Sequence, residues 1–176
     1  IYKIMVKIEV RQSVAPNIAF IKYWGKLDAE LNIPLNSSLS LTLDSSQIAS
    51  TTFMQFGDEI ATDTFELNGQ PHAIDGVHWR AIAIFRSLRK PIKHGGKVYT
   101  FADYKDWKLK IESSNNFPTA AGLASSASGF AAFACCLASL FGYFDRADEH
   151  SDVLATVDQN IARFVQLIRD RSQGKP

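Results

Sequence analysis

The chain has little of what marks several large classes of protein. Its 176 residues include only two cysteines, Cys135 and Cys136, which are neighbours in an alanine-rich run. Adjacent cysteines rarely have the geometry for a disulfide with each other, and no metal-ligand spacing surrounds them. That excludes a disulfide scaffold and a cysteine-held zinc site, and leaves a reduced, cytoplasmic compartment as the plain expectation. No run reaches the ~18–20 uninterrupted apolar residues of a membrane-spanning helix, so no membrane role is expected. Residues 1–10 carry Lys3 and Lys7, unlike a signal-peptide core, and begin with Ile rather than Met, as a processed start or a piece of something longer would. The formal charge of +1 gives no global field for nucleic acid, and Arg86, Arg89, Lys90 and Lys93 read as a solvated face. Any bound anion must be held locally.

What is present is enough apolar residue for one domain with its own core. Ile4, Val6, Ile8 and Val10 alternate with Met5, Lys7 and Glu9, as in a half-buried strand. Leu39, Leu41 and Leu43 alternate in the same way with Ser40, Thr42 and Asp44. Further strands are predicted over 50–56, over 64–67 ending at the turn pair Asn68-Gly69, and through Trp107, Leu109 and Ile111. Helical spacing appears over 77–89 (Ala81, Ile84, Phe85, Leu88) and over 153–171 (Leu154, Val157, Ile161, Phe164, Ile168). A helix over 122–141 is apolar nearly all round, which predicts burial, and Gly142 ends it. Residues 91–104 read as a surface loop. Strands early and helices late give an α+β class.

The segment 114–129, SNNFPTAAGLASSASG, follows a strand and opens the buried helix. Its small side chains let a ligand approach the backbone, and the free N–H groups and partial positive charge of a helix start favour phosphate. Ser125, Ser126 and Ser128 add hydroxyls able to donate to phosphate oxygens or to ligate Mg²⁺. By composition alone, a tightly packed helix explains the same residues, and the Lys of a P-loop is missing. A second segment, Asn17-Ile18-Ala19-Phe20-Ile21-Lys22-Tyr23-Trp24-Gly25-Lys26, gathers two ammonium groups, a phenol, an indole and a glycine within five residues. Such a set suits a substrate carrying a diphosphate and a carboxylate. Singly, Lys22 and Lys26 read as solvated lysines, Tyr23 and Trp24 as core aromatics, and Asn36 as a turn residue.

Together the two strings resemble the diphosphomevalonate decarboxylase family of the GHMP kinase superfamily, the first in its phosphate loop and the second in its NIAxIKYWGK segment. The resemblance implies a two-layer α+β domain of the ribosomal protein S5 domain 2-like type, an amino-terminal ATP-binding unit over 1–142 and a divergent tail over 143–176. It implies ATP and Mg²⁺ as cofactors and mevalonate 5-diphosphate as substrate, phosphorylated on its tertiary hydroxyl and decarboxylated to isopentenyl diphosphate. Tyr23, Trp24, Gly25 and Lys26 would line the substrate site, with Lys22 nearby for charge stabilisation. Pro118, Thr119, Ala120, Ala121, Gly122, Leu123, Ala124, Ser125, Ser126 and Ser128 would wrap the ATP phosphates, and no residue is expected to bind metal on its own. Where the family has a substrate-binding Arg after the Asn-Gly turn, this chain has His78-Trp79-Arg80. The family's later Gly/Ser-rich loop with its Arg, its catalytic Asp and its second domain have no counterpart after Tyr143. Rival readings are a small-molecule kinase that stops after phosphoryl transfer and a non-catalytic module whose last helix docks a partner or forms a homodimer.

Overall fold

A computed structural model of the chain describes residues 5–22, 24–28, 33–119 and 122–143. Within them the order is β1 (Lys7–Val14), β2 (Asn17–Ile21), β3 (Lys26–Asp28), β4 (Ile33–Pro34), β5 (Leu39–Thr42), β6 (Ser50–Gly57), β7 (Thr64–Leu67) and β8 (Gln70–His72). Helix α1 (Gly76–Ser87), β9 (Ile92–His94), β10 (Lys97–Tyr99), α2 (Phe101–Tyr104), β11 (Lys108–Asn115) and α3 (Ser125–Leu140) follow. The frame is a five-stranded sheet ordered β1-β6-β11-β7-β8, antiparallel except where β11 lies parallel to β7. A parallel neighbour needs a crossover, and α1 lies on the path from β7 to β11. The fold is the α+β sheet-and-helix type that the sequence predicts.

Strand pairing sorts the helix-facing side of the three central strands into rows. Ile8, Phe56 and Leu109 share one row, and Val10, Met54 and Ile111 the next; all six are buried. Two residues further along stand Gln12, Thr52 and Ser113, and at the end of the sheet Val14, Ser50 and Asn115. The surface therefore changes from hydrocarbon to hydroxyl and amide along the strands. Helix α3 lies over β1 and β6 and matches this gradient. Its Phe133, Leu137, Leu140 and Phe141 are buried in the core, whereas Ser128 meets the polar end. Phe56 is the aromatic hub, edge-on to Trp107 at 5.3 Å and 5.8 Å from Phe141. At the end of β6, Gly57 lets the Val6 carbonyl approach so closely that any side chain there would collide with it.

Several expectations change. The first strand continues past Val10 to Val14 because its polar residues still find partners: Gln12 Nε2 donates to Ser139 Oγ (2.9 Å), and Ser13 lies 2.8 Å from Thr51. The 91–104 stretch is ordered structure rather than a loop. The hairpin β9–β10 turns at Gly95 and Gly96, both at positive φ, and α2 is closed by a capping box between Thr100 and Asp103. Leu39 and Leu41 are exposed rather than half-buried. The basic group is not simply solvated either. Arg86 donates to the Trp107 carbonyl (2.9 Å), Arg89 stands over Phe101, and Lys90 bonds the Gly142 carbonyl and covers Tyr143. The predicted strand residue Ile4 and the helix over 153–171 lie outside the described residues. Among those residues, no helix is long and apolar enough to cross a membrane.

Candidate nucleotide-binding site

Strand β11 ends at Asn115, and the chain turns through Gly122 (φ 77°) and Ala124 (φ 52°, ψ 38°) before α3 begins at Ser125. The helix thus starts three residues later than its apolar pattern suggests. The left-handed backbone at Ala124 aims the opening turn outward, and no side chain caps it. The first turn also lacks an acidic residue. Ala127 and Ser128 turn their N–H groups back to the Ala124 carbonyl, at 3.1 and 3.2 Å. The peptide N–H groups at the head of the helix are left to an external acceptor. Ser126 and Ala127 are exposed there, and Ser125 is half-buried.

Ser128 departs from the expected grouping. It is buried, its Oγ stands 2.6 Å from Ser50 Oγ, and it also reaches the Ser125 carbonyl at 3.2 Å. Its hydroxyl faces the sheet, because one more helical turn carries position 128 away from the opening. Pro118 and Thr119 are exposed and Leu123 is half-buried, while Ala120 and Ala121 lie outside the described residues. Thr119 Oγ1 accepts from the amides of Asn68 and Asn115, both at 3.1 Å. Asn116 binds the segment before β6 by three contacts: Ala49 N–H to its Oδ1 (2.8 Å), its Nδ2 to the Gln47 carbonyl (2.9 Å), and its N–H to the Ala49 carbonyl (3.2 Å).

The second predicted cluster lies on an arm of two small sheets, β2–β5 and β3–β4. The arm is closed at its base by Leu43 N–H to the Pro16 carbonyl (3.0 Å) and Asn17 Nδ2 to Thr42 Oγ1 (3.0 Å). Further out, Leu35 N–H donates to the Gly25 carbonyl at 2.9 Å. Lys22, Trp24 and Lys26 are exposed, Trp24 at 91%, and Gly25 is half-buried; Tyr23 lies outside the described residues. Trp24 is therefore not a core aromatic. The two clusters sit on different sheets but share a root. Val14 pairs with Ser50 and Ser50 with Asn115, so the arm leaves β1, and the phosphate loop leaves β11, at the same end of the frame.

Of the two candidates for the missing Arg, His78 is occupied. Its Nδ1 lies 2.6 Å from Asp75 Oδ1, and its ring packs against Phe133 (4.7 Å), Phe65 (5.3 Å) and Phe130 (5.5 Å). Asp75 also accepts the N–H groups of Val77 and His78 as the cap of α1. The His78 backbone N–H, aided by its ring, holds the Asp75 carboxyl below its ordinary range. Arg80 is exposed on the same helix. Burial, with Cys135 beside it, pushes the Cys136 thiol up to about 12, so it is a packing residue rather than a nucleophile.

Sequence reading missed Ser50, and it took Asn68 only for a turn. Their contacts cross separations of 78 and 51 positions, which no local spacing reports. Donor hydroxyls and an uncapped helix start fit a nucleotide triphosphate. Among the described residues no group of three His, Cys, Asp or Glu could hold a metal alone, so Mg²⁺ would ride on phosphate oxygens with a serine hydroxyl.

Residues 14–169 match the family of the diphosphomevalonate decarboxylase-like N-terminal domain, and the chain belongs to it. The match runs past Gly142 through most of the tail set apart at 143–176. Among its relatives, the diphosphomevalonate decarboxylase of Saccharomyces cerevisiae is 46% identical over 126 residues, 71% of this chain and 31% of that one. The crystal structure of mevalonate diphosphate decarboxylase from Staphylococcus aureus is 35% identical, with a TM-score of 0.56 over 78% of this chain and 38% of the other. A further structure, in complex with MVAPP, AMPPCP and magnesium, is 34% identical with a TM-score of 0.55, covering 82% and 40%. The chain thus spans about a third of the length of the curated relatives it matches.

Proposed function

We propose that this chain supplies the nucleotide seat and the substrate arm of an ATP-dependent diphosphomevalonate decarboxylase, acting on mevalonate 5-diphosphate in the cytoplasm. The observation that carries it is the outward, uncapped start of α3, with Ser126 exposed beside it and the polar end of the sheet behind it. The N–H groups at the head of α3 would hold phosphate oxygens, and the Ser125 and Ser126 hydroxyls would donate to them or help hold Mg²⁺. When bound, ATP supplies the phosphoryl group that makes the tertiary hydroxyl a leaving group, and its loss drives the release of CO₂. Lys22 and Lys26 on the exposed arm offer cations for the diphosphate and carboxylate, with Tyr23, Trp24 and Gly25 as the wall. Catalysis of this kind rests on positioning and on charge stabilisation.

The parts that the family carries after its buried helix have no counterpart in the sequence beyond Tyr143, so the expected behaviour is binding without turnover. Titrating Mg·ATP into the purified chain by calorimetry tests the seat. Ser126→Ala should weaken binding about 10-fold, the low end for a hydrogen bond to a charged group. No binding by the unmodified chain at millimolar nucleotide, or equal binding by the variant, would overturn the assignment. ADP and CO₂ release with mevalonate 5-diphosphate separates the remaining cases: neither is expected, and ADP alone would indicate a kinase.

A further inference from the structure

Ser50 is fully buried, and the reaction chemistry described above has no use for it. It nonetheless joins the two elements that shape the phosphate loop. Its Oγ lies 2.6 Å from Asn115 Oδ1, where β11 ends, and 2.6 Å from Ser128 Oγ, one turn inside α3. From Asn115 the contacts continue outward, Nδ2 donating to Thr119 Oγ1 (3.1 Å) within the loop. Asn68 closes the circuit. Its Oδ1 accepts the Asn115 backbone N–H (2.9 Å), which fixes its amide so that Nδ2 faces Thr119 (3.1 Å).

Counting protons gives this circuit a direction. A serine hydroxyl has one proton. Ser50 spends it on Asn115 Oδ1, so Ser128 must donate to Ser50. At the far end, Thr119 Oγ1 receives two amide protons, which leaves its own hydroxyl proton to be donated elsewhere. Thr119 is exposed on the same loop as the head of α3. Both ends of the loop, position 119 and the first turn of the helix, are thus fixed through one buried hydroxyl on the central strand.

We propose that Ser50 is a positioning residue for the phosphate loop. Acting through Ser128 and Asn115, it holds the start of α3 and the Thr119 hydroxyl in register so that both present donors to one polyphosphate. The inference rests on the nucleotide reading, but its first consequence needs no nucleotide.

The test compares Ser50→Ala with Thr52→Val. Thr52 lies two residues along the same strand, is equally buried and makes the same kind of contact, 3.0 Å to Ser113 Oγ, remote from the loop. Both substitutions remove one buried hydroxyl pair, so a general loss of stability should appear in both. In the ligand-free protein, amide hydrogen exchange at 122–127 should speed up about tenfold in Ser50→Ala and not in Thr52→Val. Mg·ATP affinity should fall about five- to tenfold in the first and stay level in the second, since a neutral hydrogen bond is worth about one decade or less. If Ser50→Ala does not fold, Ser128→Ala removes the same contact from the helix side and carries the same expectation. In the double variant the two effects should not add. Exchange unchanged by either serine substitution, or changed equally by Thr52→Val, overturns the proposal. Normal exchange effects with no nucleotide bound by the unmodified chain would sink the nucleotide reading alone.

Discussion

His78→Ala discriminates most sharply between a ligand and a structural group, because the two roles predict opposite readouts. The imidazole is only 18% exposed and lies among Phe65, Phe130 and Phe133. Removing it returns on the order of 100 Å² of buried surface, or about 2.5 kcal/mol at about 25 cal/mol per Å². The edge-on contact with Phe133 adds about 0.5–1 kcal/mol, and relaxation of the neighbours takes back a similar amount. The expected loss is therefore about 2–3 kcal/mol. With a urea slope of about 2 kcal/mol per molar, the unfolding midpoint should fall by about 1–1.5 M at unchanged slope. His78→Phe keeps a ring among its aromatic neighbours and should recover most of that loss. Affinity for mevalonate 5-diphosphate and Mg·ATP, measured where His78→Ala is still folded, should stay within about twofold of the parent. An unshifted midpoint, or a folded variant that no longer binds diphosphate, would refute the structural role and return His78 to the substrate site.

Two further outcomes follow from the titrating groups. Burial keeps the Cys136 thiol protonated up to about 12, and Cys135 is raised by the same cause, so a thiol reagent at pH 8 should label neither rapidly in the folded chain. Both should react once urea unfolds it, and fast labelling of the native protein would show that α3 does not cover them. At the acid end, Asp75 is held low by the His78 contacts and Asp103 by the Thr100 hydroxyl and N–H. A carboxyl whose folded value lies below its ordinary 3.8 adds stability that is complete above that value and is lost as pH falls through the folded one. The thermal midpoint should therefore hold steady from pH 7 to about 5 and decline below about 4; a decline that begins near pH 6 would point to other groups.

Much of the frame could be read from the sequence because alternation and burial coincide there. Ile8, Met54, Phe56, Leu109 and Ile111 are each one side of a two-residue period, and all face the helices. Pattern reading failed where polar residues continue a strand or where small elements use few apolar ones. Gln12 stays in β1 because Ser139 receives its amide, and β9 with β10 and α2 anchor through Ile92 and Tyr104, each a single buried residue. The phosphate loop was readable as a string, since a helix start needs only local residues. Its support was not, because Ser50, Asn68 and Asn115 meet only after the sheet has formed. The leucines of β5 misled in the other direction: alternation reports which side chains could be covered, and Leu39 and Leu41 are not covered by any described residue.

The pairing of Val14, Ser50 and Asn115 in one row makes β6 a ruler for everything that leaves its far end. Side chains on a strand alternate between faces, so inserting a single residue before Ser50 would turn its hydroxyl away from the helix layer. The cost would not stop at one contact. The hairpin arm and the loop beyond β11 would each start from a shifted origin, and two surfaces meant to close on one small molecule would no longer be opposed.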